Sequence, residues 1–204
     1  MSARIGSDLA GYYRLHAPIY DLTRPLFLFG RERLLSGLAK ASLAQGWRNP
    51  SILEVGCGTG RNLHLLSRMF PHSRLVGVDL AAAMLDRARA RLGDRAQLVQ
   101  GALGSVALDG PFDIVFASYM LSMTGSAQAQ CIAAARRELV SGGLLGVVDF
   151  QSTPSAGFAA WMARNHVSFD PQLLERLAAA GRPIAVSSTR AYGGAWRYFS
   201  WIGH

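Results

Sequence analysis

Cysteine is scarce in this sequence, where Cys57 and Cys131 are the two such residues among 204. They give neither a disulfide framework nor a metal-binding spacing, so we expect no metal site. No apolar run approaches the roughly 20 residues of a membrane-spanning helix. Residues 2–8 do not lead into the apolar stretch of a secretory signal. These absences lead us to expect a cytoplasmic, reducing setting.

Acidic residues are also few, because 13 aspartates and glutamates stand against 21 lysines and arginines, giving a net charge of +8 and a pI of about 10.3. Charged residues make up 17% and hydrophobic residues 50% of the chain, which is typical of a globular protein. A basic surface favours anionic partners such as nucleic acid, an anionic membrane or a phosphorylated substrate. Solvated arginines without a partner explain the charge equally well.

A glycine-rich stretch at residues 56–60 follows a short apolar run at residues 52–55. The run is typical of a buried strand, and a helical pattern opens at Asn62. Strand, glycine turn and helix form the arrangement of a nucleotide-cofactor loop, because glycine lets the backbone approach a ligand and the helix offers unpaired N–H groups. A glycine turn without a ligand is the alternative.

A second apolar run at residues 75–78 ends at Asp79, 25 residues after Glu54. An acid at the tip of the second strand is placed to bind ribose hydroxyls. The glycine spacing differs from the G-x-G-x-x-G of dinucleotide sites, since Arg61 stands at the sixth position counted from Gly56. The pattern E-x-G-x-G-x-G instead resembles motif I of the class I methyltransferases, which use S-adenosylmethionine (AdoMet).

The resemblance implies an α/β fold of the Rossmann-like class I methyltransferase type, with a seven-stranded, mostly parallel sheet, an antiparallel last strand and helices on both faces. Alternating apolar runs and helical patterns agree with it. We predict strands at residues 51–55, 74–79, 96–100, 112–117, 144–149, 184–191 and 195–202. We predict helices at residues 26–43, 61–70, 81–92, 126–140 and 171–180. Residues 1–204 are then one domain, with an N-terminal helical lid at 1–45 and a core at 51–204.

The same resemblance implies which residues bind AdoMet. Glu54 and the glycine loop would meet its aminoacyl part and Asp79 its ribose. Leu80 and Met84 would meet its adenine, although both suit the core of a helix equally well. Many family members carry an aspartate after the third strand, where this chain has Gly101, so backbone groups would make that contact. The implied cofactor-binding residues are Tyr13, Glu54, Gly56, Cys57, Gly58, Gly60, Asn62, Asp79, Leu80, Met84, Gly101, Ala102, Leu103 and Ser118.

In this family the end of the fourth strand, here residues 117–123, faces the sulfonium methyl group. Enzymes that methylate nucleobase amines place Asn/Asp-Pro-Pro-Tyr/Phe there, and this chain has no such motif. Cytosine-C5 chemistry needs a nucleophilic cysteine at a matching strand tip, and neither Cys57 nor Cys131 lies on one. The sequence therefore argues against nucleic acid as the methyl acceptor.

Residues 12–24, Tyr-Tyr-Arg-Leu-His-Ala-Pro-Ile-Tyr-Asp-Leu-Thr-Arg, and residues 28–33 resemble the N-terminal signature of small bacterial lipid N-methyltransferases. This implies methylation of an aminolipid amine, of the diacylglyceryl-homoserine or phosphatidylethanolamine type, at an anionic membrane surface. Arg24, Phe27, Arg31 and Arg33 would then face lipid, although a lid helix packed on the domain suits the same pattern. Two alternatives stay open: a methyltransferase of a soluble small molecule, and an AdoMet- or RNA-binding module without catalysis.

Methyl transfer to an amine needs the unprotonated amine, and an alkyl amine has a pKa of about 10. His16, Asp21 and His166 are candidate bases, and each histidine suits a structural role as well. Tyr20 and Tyr119 are placed to hold the amine and to contact the methylammonium product through their ring faces. Because the reaction is an in-line displacement, placement accounts for much of the catalysis. We predict His16, Tyr20, Asp21 and Tyr119 as the catalytic residues.

Overall fold

One seven-stranded sheet organises residues 27–204, the part of the chain that the computed structural model describes. Its strands are β1 (Ile52–Val55), β2 (Leu75–Asp79), β3 (Gln97–Gln100), β4 (Phe112–Ser118), β5 (Leu139–Ser152), β6 (Pro183–Ala191) and β7 (Trp196–Gly203). Their order across the sheet is β3-β2-β1-β4-β5-β7-β6. Strands β1 to β5 pair in parallel, and β7 is antiparallel to both of its neighbours. The predicted fold class is confirmed.

Helices cover both faces of this sheet. They are α1 (Arg31–Ala44), α2 (Arg61–Met69), α3 (Ala82–Leu92), α4 (Gln128–Arg137), α5 (Ala156–Arg164) and α6 (Leu173–Ala180). Leu34 of α1 and Leu85 of α3 belong to the core on one face, whereas Ile132 of α4 and Leu177 of α6 belong to the core on the other. Because both faces are covered, every residue of a central strand such as β1 is buried.

Helix α1 packs on β5 and β7. Its Leu34, Leu35 and Leu38 are buried, and a Cβ at Gly146 of β5 would come within 2.9 Å of Leu38 Cδ1. The sheet therefore covers these three leucines, whereas Leu43, near the end of the helix, is 57% exposed. Most of the described part of the predicted lid thus belongs to the packed fold. None of the helices in residues 27–204 combines the length and the apolarity needed to cross a bilayer.

Strand β5 begins earlier than predicted, at Leu139 instead of residue 144. Leu139 pairs with Phe112 and Leu144 with Ile114, so the register shifts between them as a bulge. Gly142, with φ +74, lies in this bulge, although a glycine just after a predicted helix is also typical of a helix end. Helix α4 accordingly ends at Arg137, before its predicted end at residue 140.

Helix α5 was not predicted. Ser155 is its N-cap, and the Ser155 Oγ accepts a hydrogen bond from Phe158 N at 3.1 Å. The cap was a usable signal, but Gly157 and the shortness of the segment obscured the helical pattern. Met162 of α5 is buried in the same core as α1. This helix carries Phe158 to within 5.3 Å, between ring centres, of Trp196 at the start of β7.

Candidate active site

The carboxyl ends of β1, β2, β3 and β4 meet at one edge of the sheet. The chain runs outward from β1 through β2 to β3 and then returns to β4 on the other side of β1. Such a reversal leaves a crevice above the strand ends, where α/β proteins bind ligands. The glycine loop follows β1, Asp79 ends β2, Gly101 follows β3 and Ser118 ends β4. The structure thus brings together predicted cofactor residues from four segments of the chain.

The glycine loop lies against β2, where Gly56 N donates a hydrogen bond to Val78 O at 2.8 Å. Gly60 is the N-cap of α2, with φ +72, and a Cβ there would come within 2.8 Å of Leu92 Cδ1. Gly60 is therefore needed for the packing of α2 on α3. At Gly58, with φ +53, an added Cβ would meet no described atom within 4 Å. The loop is open at Gly58, as a loop that supports a ligand must be.

Asp79 ties this loop to the start of α3. Its Oδ2 accepts a hydrogen bond from Gly58 N at 2.8 Å and its Oδ1 one from Ala81 N at 2.9 Å. A carboxylate oxygen can accept more than one hydrogen bond, so contacts to ribose remain compatible with these bonds and remain a prediction. Leu80 is 41% exposed, whereas Met84 is 1% exposed. Met84 therefore belongs to the interior, and of the two predicted adenine contacts only Leu80 is accessible.

Glu54 is a buried carboxyl, 1% exposed, in β1. Its Oε1 accepts a hydrogen bond from Asn62 Nδ2 at 2.7 Å, while its Oε2 and the Asn62 Oδ1 are buried and, within residues 27–204, accept none. Burial, with a smaller effect of the Asp79 charge, raises the pKa of Glu54 to about 8, although the bond from Asn62, the charge of Arg31 and the backbone N–H of Leu63 lower it. Buried acceptors without a donor are rare, and a primary ammonium would satisfy them. The aminoacyl group of AdoMet carries one, so these residues fit that cofactor.

Arg31, the first residue of α1, is directed into the crevice. Its Nε donates a hydrogen bond to Ser118 Oγ at 3.0 Å, and its Cζ lies 5.8 Å from the centre of the Tyr119 ring. The prediction that Arg31 faces lipid is therefore wrong. Arg33 is exposed, with its Nη1 3.5 Å from Thr189 Oγ1. Nothing in the sequence separates these two arginines except that Arg31 begins the helix.

Tyr119 follows β4 with φ +55, a conformation that bulky residues rarely adopt. Its hydroxyl donates a hydrogen bond to Phe29 O at 2.6 Å, and its N–H donates to Val148 O at 2.8 Å. The ring meets the edge of Phe150, with 4.7 Å between centres, and burial raises the pKa of the hydroxyl. Tyr119 therefore fastens residue 29 to the end of β4. A contact from this hydroxyl to the acceptor remains a prediction and requires that bond to open.

Asp149 is a buried carboxylate near the end of β4 that was not predicted as a site residue. Its Oδ2 accepts a hydrogen bond from Ser122 N at 3.0 Å and its Oδ1 one from Phe150 N at 2.8 Å. Burial raises its pKa to about 6, and hydrogen bonds partly oppose this. Asp149 thus holds the turn that follows Tyr119. An acid inside the apolar run of β5 was the available signal.

Aromatic rings surround the ends of β5 and β7. This aromatic cluster consists of Phe27, Phe29, Phe150, Phe158, Trp161, Phe169, Tyr192, Trp196 and Tyr198. It continues from Tyr119, whose ring contacts Phe150. It therefore forms an apolar wall beside the end of β4, where the family resemblance places the methyl acceptor. The sequence did not predict this wall, because its rings come from distant segments.

At Cys57 and in the loop after β3, backbone groups rather than side chains are available for contact with a cofactor. The thiol of Cys57 packs against β2, where a Cβ at Gly77 would lie 2.8 Å from Sγ, and burial raises its pKa. Gly101 has φ +152, Ala102 is exposed and Leu103 is half-buried. Contacts of these residues with AdoMet remain predictions.

Tyr13, His16, Tyr20 and Asp21 lie outside the described residues, so their roles remain predictions. His166, the third candidate base, is exposed in the turn after α5, with φ +60. Two residues further on, Ser168 N donates a hydrogen bond to Ser122 O at 2.8 Å. The turn that carries His166 is therefore adjacent to the turn after β4.

Residues 52–143 match the family model described as a methyltransferase domain. The malonyl-[acyl-carrier protein] O-methyltransferase of Priestia megaterium is 32% identical over 104 residues, which cover 50% of this chain and 37% of that protein. The trans-aconitate 2-methyltransferase of Methylobacterium nodulans is 31% identical over 153 residues, which cover 75% of this chain and 55% of that protein. The chain thus spans about half or less of the length of these relatives.

The fold has solved counterparts as well. The 1,6-didemethyltoxoflavin-N1-methyltransferase of Burkholderia thailandensis, with bound S-adenosylhomocysteine, superposes with a TM-score of 0.69 at 17% identity, covering 98% of this chain and 87% of that chain. At this identity the likeness shows the fold alone. The family match, however, includes β1 to β4, the strands that build the crevice. Over those strands, and on a sheet of this order, the chain is therefore similar to methyltransferase domains.

Proposed function

We propose that this chain is an AdoMet-dependent methyltransferase and that it acts on a small-molecule acceptor, which binds beside the end of β4, against the aromatic cluster. The observation that carries the proposal is that the leucines and the first arginine of α1 are directed into the protein. A helix that binds a membrane would direct such residues outward. Leu34, Leu35 and Leu38 are buried on the sheet, and Arg31 is hydrogen-bonded to Ser118. A helix that lies on a membrane needs an apolar side open to the acyl chains, and the sheet covers these three leucines here.

A carboxylate oxygen is the acceptor atom that we favour. One relative is named for a malonyl group and the other for aconitate, and both are carboxylic acids. A carboxylate is already ionised at pH 7, so its methylation needs no base. This agrees with the surroundings of the β4 end, where Asp149 is buried and the Tyr119 hydroxyl donates to Phe29 O.

Methylation of an aminolipid amine is our second proposal. Trp161 and Tyr192, at the margin of the aromatic cluster, are 49% and 57% exposed, and the net charge is +8. Exposed aromatic rings beside a basic surface are features of proteins that bind membrane interfaces. The resemblance of residues 12–24 to lipid N-methyltransferases supports the same reading.

AdoMet labelled in its methyl group, incubated with the protein and a cell extract, tests these proposals. We expect label in the aqueous phase after chloroform–methanol extraction, and we expect alkali to release it, because methyl esters hydrolyse and methylamines do not. Gly58→Val provides the background without bound cofactor. Label confined to the organic phase would contradict the small acceptor and support the aminolipid. Alkali-stable label in the aqueous phase would keep the small acceptor and contradict the carboxylate.

A protein that binds AdoMet without transferring its methyl group would show no label above the Gly58→Val background in either phase. Calorimetry with AdoMet then establishes whether binding is intact. Filter binding with RNA at physiological salt tests the remaining alternative, to which the net charge of +8 lends support.

A further inference from the structure

Arg190 of β6 and Arg197 of β7 stand directly opposite each other, at paired positions of the two antiparallel strands. Residues that pair in this way extend their side chains on the same face of a sheet, with about 5 Å between Cβ atoms, and like charges there are destabilising. Within residues 27–204 neither arginine forms an ion pair with a carboxylate. Two facing cations without an anion conflict with the stability of the sheet, and conflicts of this kind are typical of functional sites.

Hydrogen bonds direct the guanidinium of Arg197. Its Nε and Nη2 donate to Ser188 Oγ at 3.1 Å and 2.9 Å, and this hydroxyl donates to Gln151 Oε1 at 2.5 Å. Ser188 carries no charge, so it orients the guanidinium without neutralising it. The amide nitrogen of Gln151 adds two N–H donors beside the same hydroxyl. Because successive residues of a strand alternate between its faces, Arg190 shares the face of Ser188, and donors from three side chains lie close together there.

This arginine pair lies near the edge of the sheet that carries the crevice. Strand β5 is parallel to β4, and Arg197 pairs with Ser152, the last residue of β5. The order β4-β5-β7-β6 and a spacing of about 4.8 Å between strands place the pair about 10 to 14 Å from β4. Arg197 faces away from the aromatic cluster, to which its neighbours Trp196 and Tyr198 belong. An acceptor that reacts at the end of β4 therefore reaches the pair by extending across the sheet edge.

We propose that Arg190, Arg197 and Gln151 bind a phosphate monoester at the far end of the methyl acceptor. Such a group carries a charge of about −1.5 to −2 at pH 7 and three acceptor oxygens, which match two guanidinium charges and their forked donors. A carboxylate carries one charge and two oxygens, so it would leave one arginine without a counter-charge. The inference rests on the proposed function, because the phosphate belongs to the acceptor.

Inorganic phosphate is the probe for the site itself. Broadening of its phosphorus NMR resonance measures binding, with the ionic strength kept constant by chloride. Arg190→Gln and Arg197→Gln should each weaken phosphate binding about 10-fold or more, the range for a lost charged hydrogen bond. Arg33→Gln is the matched control, because this exposed arginine approaches Thr189, on the other face of β6, and it should leave phosphate binding unchanged. Phosphate that does not bind the wild-type protein, or that binds both variants equally well, would overturn the inference.

Thermal unfolding separates a lost site from a damaged fold. Because Arg190→Gln removes the repulsion between the pair, its midpoint at low salt should lie above that of the wild-type protein. The difference should shrink in high salt, which screens exposed charges. Weaker phosphate binding by a more stable variant cannot result from misfolding. A lower midpoint would contradict the repulsion from which the inference starts.

Methyl transfer connects the phosphate site to the acceptor. With labelled AdoMet and a cell extract, Arg190→Gln should incorporate about 10-fold less label than the wild-type protein, while calorimetry shows the same AdoMet affinity. Alkaline phosphatase, applied to the extract and removed before the assay, should lower the label that the wild-type protein incorporates. Equal label from Arg190→Gln, or label that phosphatase does not lower, would overturn the inference. Absence of label with the wild-type protein would contradict the proposed function, whereas the phosphate titration tests the site without any transfer.

Discussion

Binding of AdoMet should release a proton from Glu54. In the ligand-free protein burial raises the pKa of this carboxyl to about 8, so it is about nine-tenths protonated at pH 7. An ammonium beside Oε2 favours the ionised form. The α-ammonium of AdoMet, with a pKa of about 8, takes up about a tenth of a proton at pH 7. We therefore expect a net release of protons when AdoMet binds.

Titration calorimetry at pH 7 in buffers of different ionisation enthalpy, such as phosphate and Tris, measures this release. The slope of the observed enthalpy against the buffer enthalpy gives the number of protons. Glu54→Gln preserves the shape of the side chain but cannot titrate, so it should bind AdoMet more weakly and show no release. A zero slope for the wild-type protein, or the same slope for Glu54→Gln, would refute the assignment of the ammonium to Glu54.

The same pKa has a consequence for stability without ligand. Because the pKa of Glu54 is about 8 when folded and 4.5 when exposed, the unfolded chain binds fewer protons between these values. The free energy of unfolding therefore falls as the pH rises from about 4.5 to about 8. At about 1.4 kcal/mol per pKa unit the total is at most about 5 kcal/mol. Denaturant unfolding of Glu54→Gln over this window should show a much smaller decline.

Three other substitutions, one with a matched control, test the crevice. Gly58→Ala and its control Gly46→Ala each place a side chain at positive φ in open space, which should lower the free energy of unfolding by about 1–2 kcal/mol. Calorimetry should show loss of AdoMet binding for Gly58→Ala alone. Equal binding by both variants would contradict a ligand lying against Gly58. Asp79→Asn should weaken AdoMet binding by about 1.5–3 kcal/mol, and unchanged affinity in calorimetry would remove Asp79 from the site. Tyr119→Phe should lower the free energy of unfolding by about 1 kcal/mol and speed proteolysis next to Phe29; an unchanged rate would mean that this hydrogen bond does not hold the segment.

The strands and the cofactor loop could be predicted because their signals are local. Glycines at alternate positions between an apolar run and a helix define one loop geometry, and the structure places the loop at the end of β1. The last two strands were also predicted, and the chain turns between them at Gly193 and Gly194, with φ +67 and φ +114. The bulge of β5 was missed because Gly142 suits a helix end and a bulge equally well. Only the pairing of Leu139 with β4 decides between them.

The residues around the acceptor could not be predicted, because their roles depend on distant partners. The hydroxyl of Tyr119 meets a carbonyl that is 90 residues away in sequence. Arg31 and Arg33 look alike in sequence, and only the path of α1 across the sheet directs one of them to Ser118. Met84 and Leu80 were equal candidates for contact with adenine in the sequence. The structure distinguishes them, because Met84 is buried and Leu80 is exposed.

The insertion of β7 between β5 and β6 constrains how the chain folds as it is synthesised. Strand β6 pairs with β7 and not with β5, so it has no partner until residues 196–203 follow it. During that interval β5 keeps an open edge, and β6 presents Ile184 and Val186, which stay exposed even in the finished fold. Open edges and apolar strands promote wrong pairing between chains. The nascent chain is therefore most prone to aggregate after β6 has emerged from the ribosome and before β7 has.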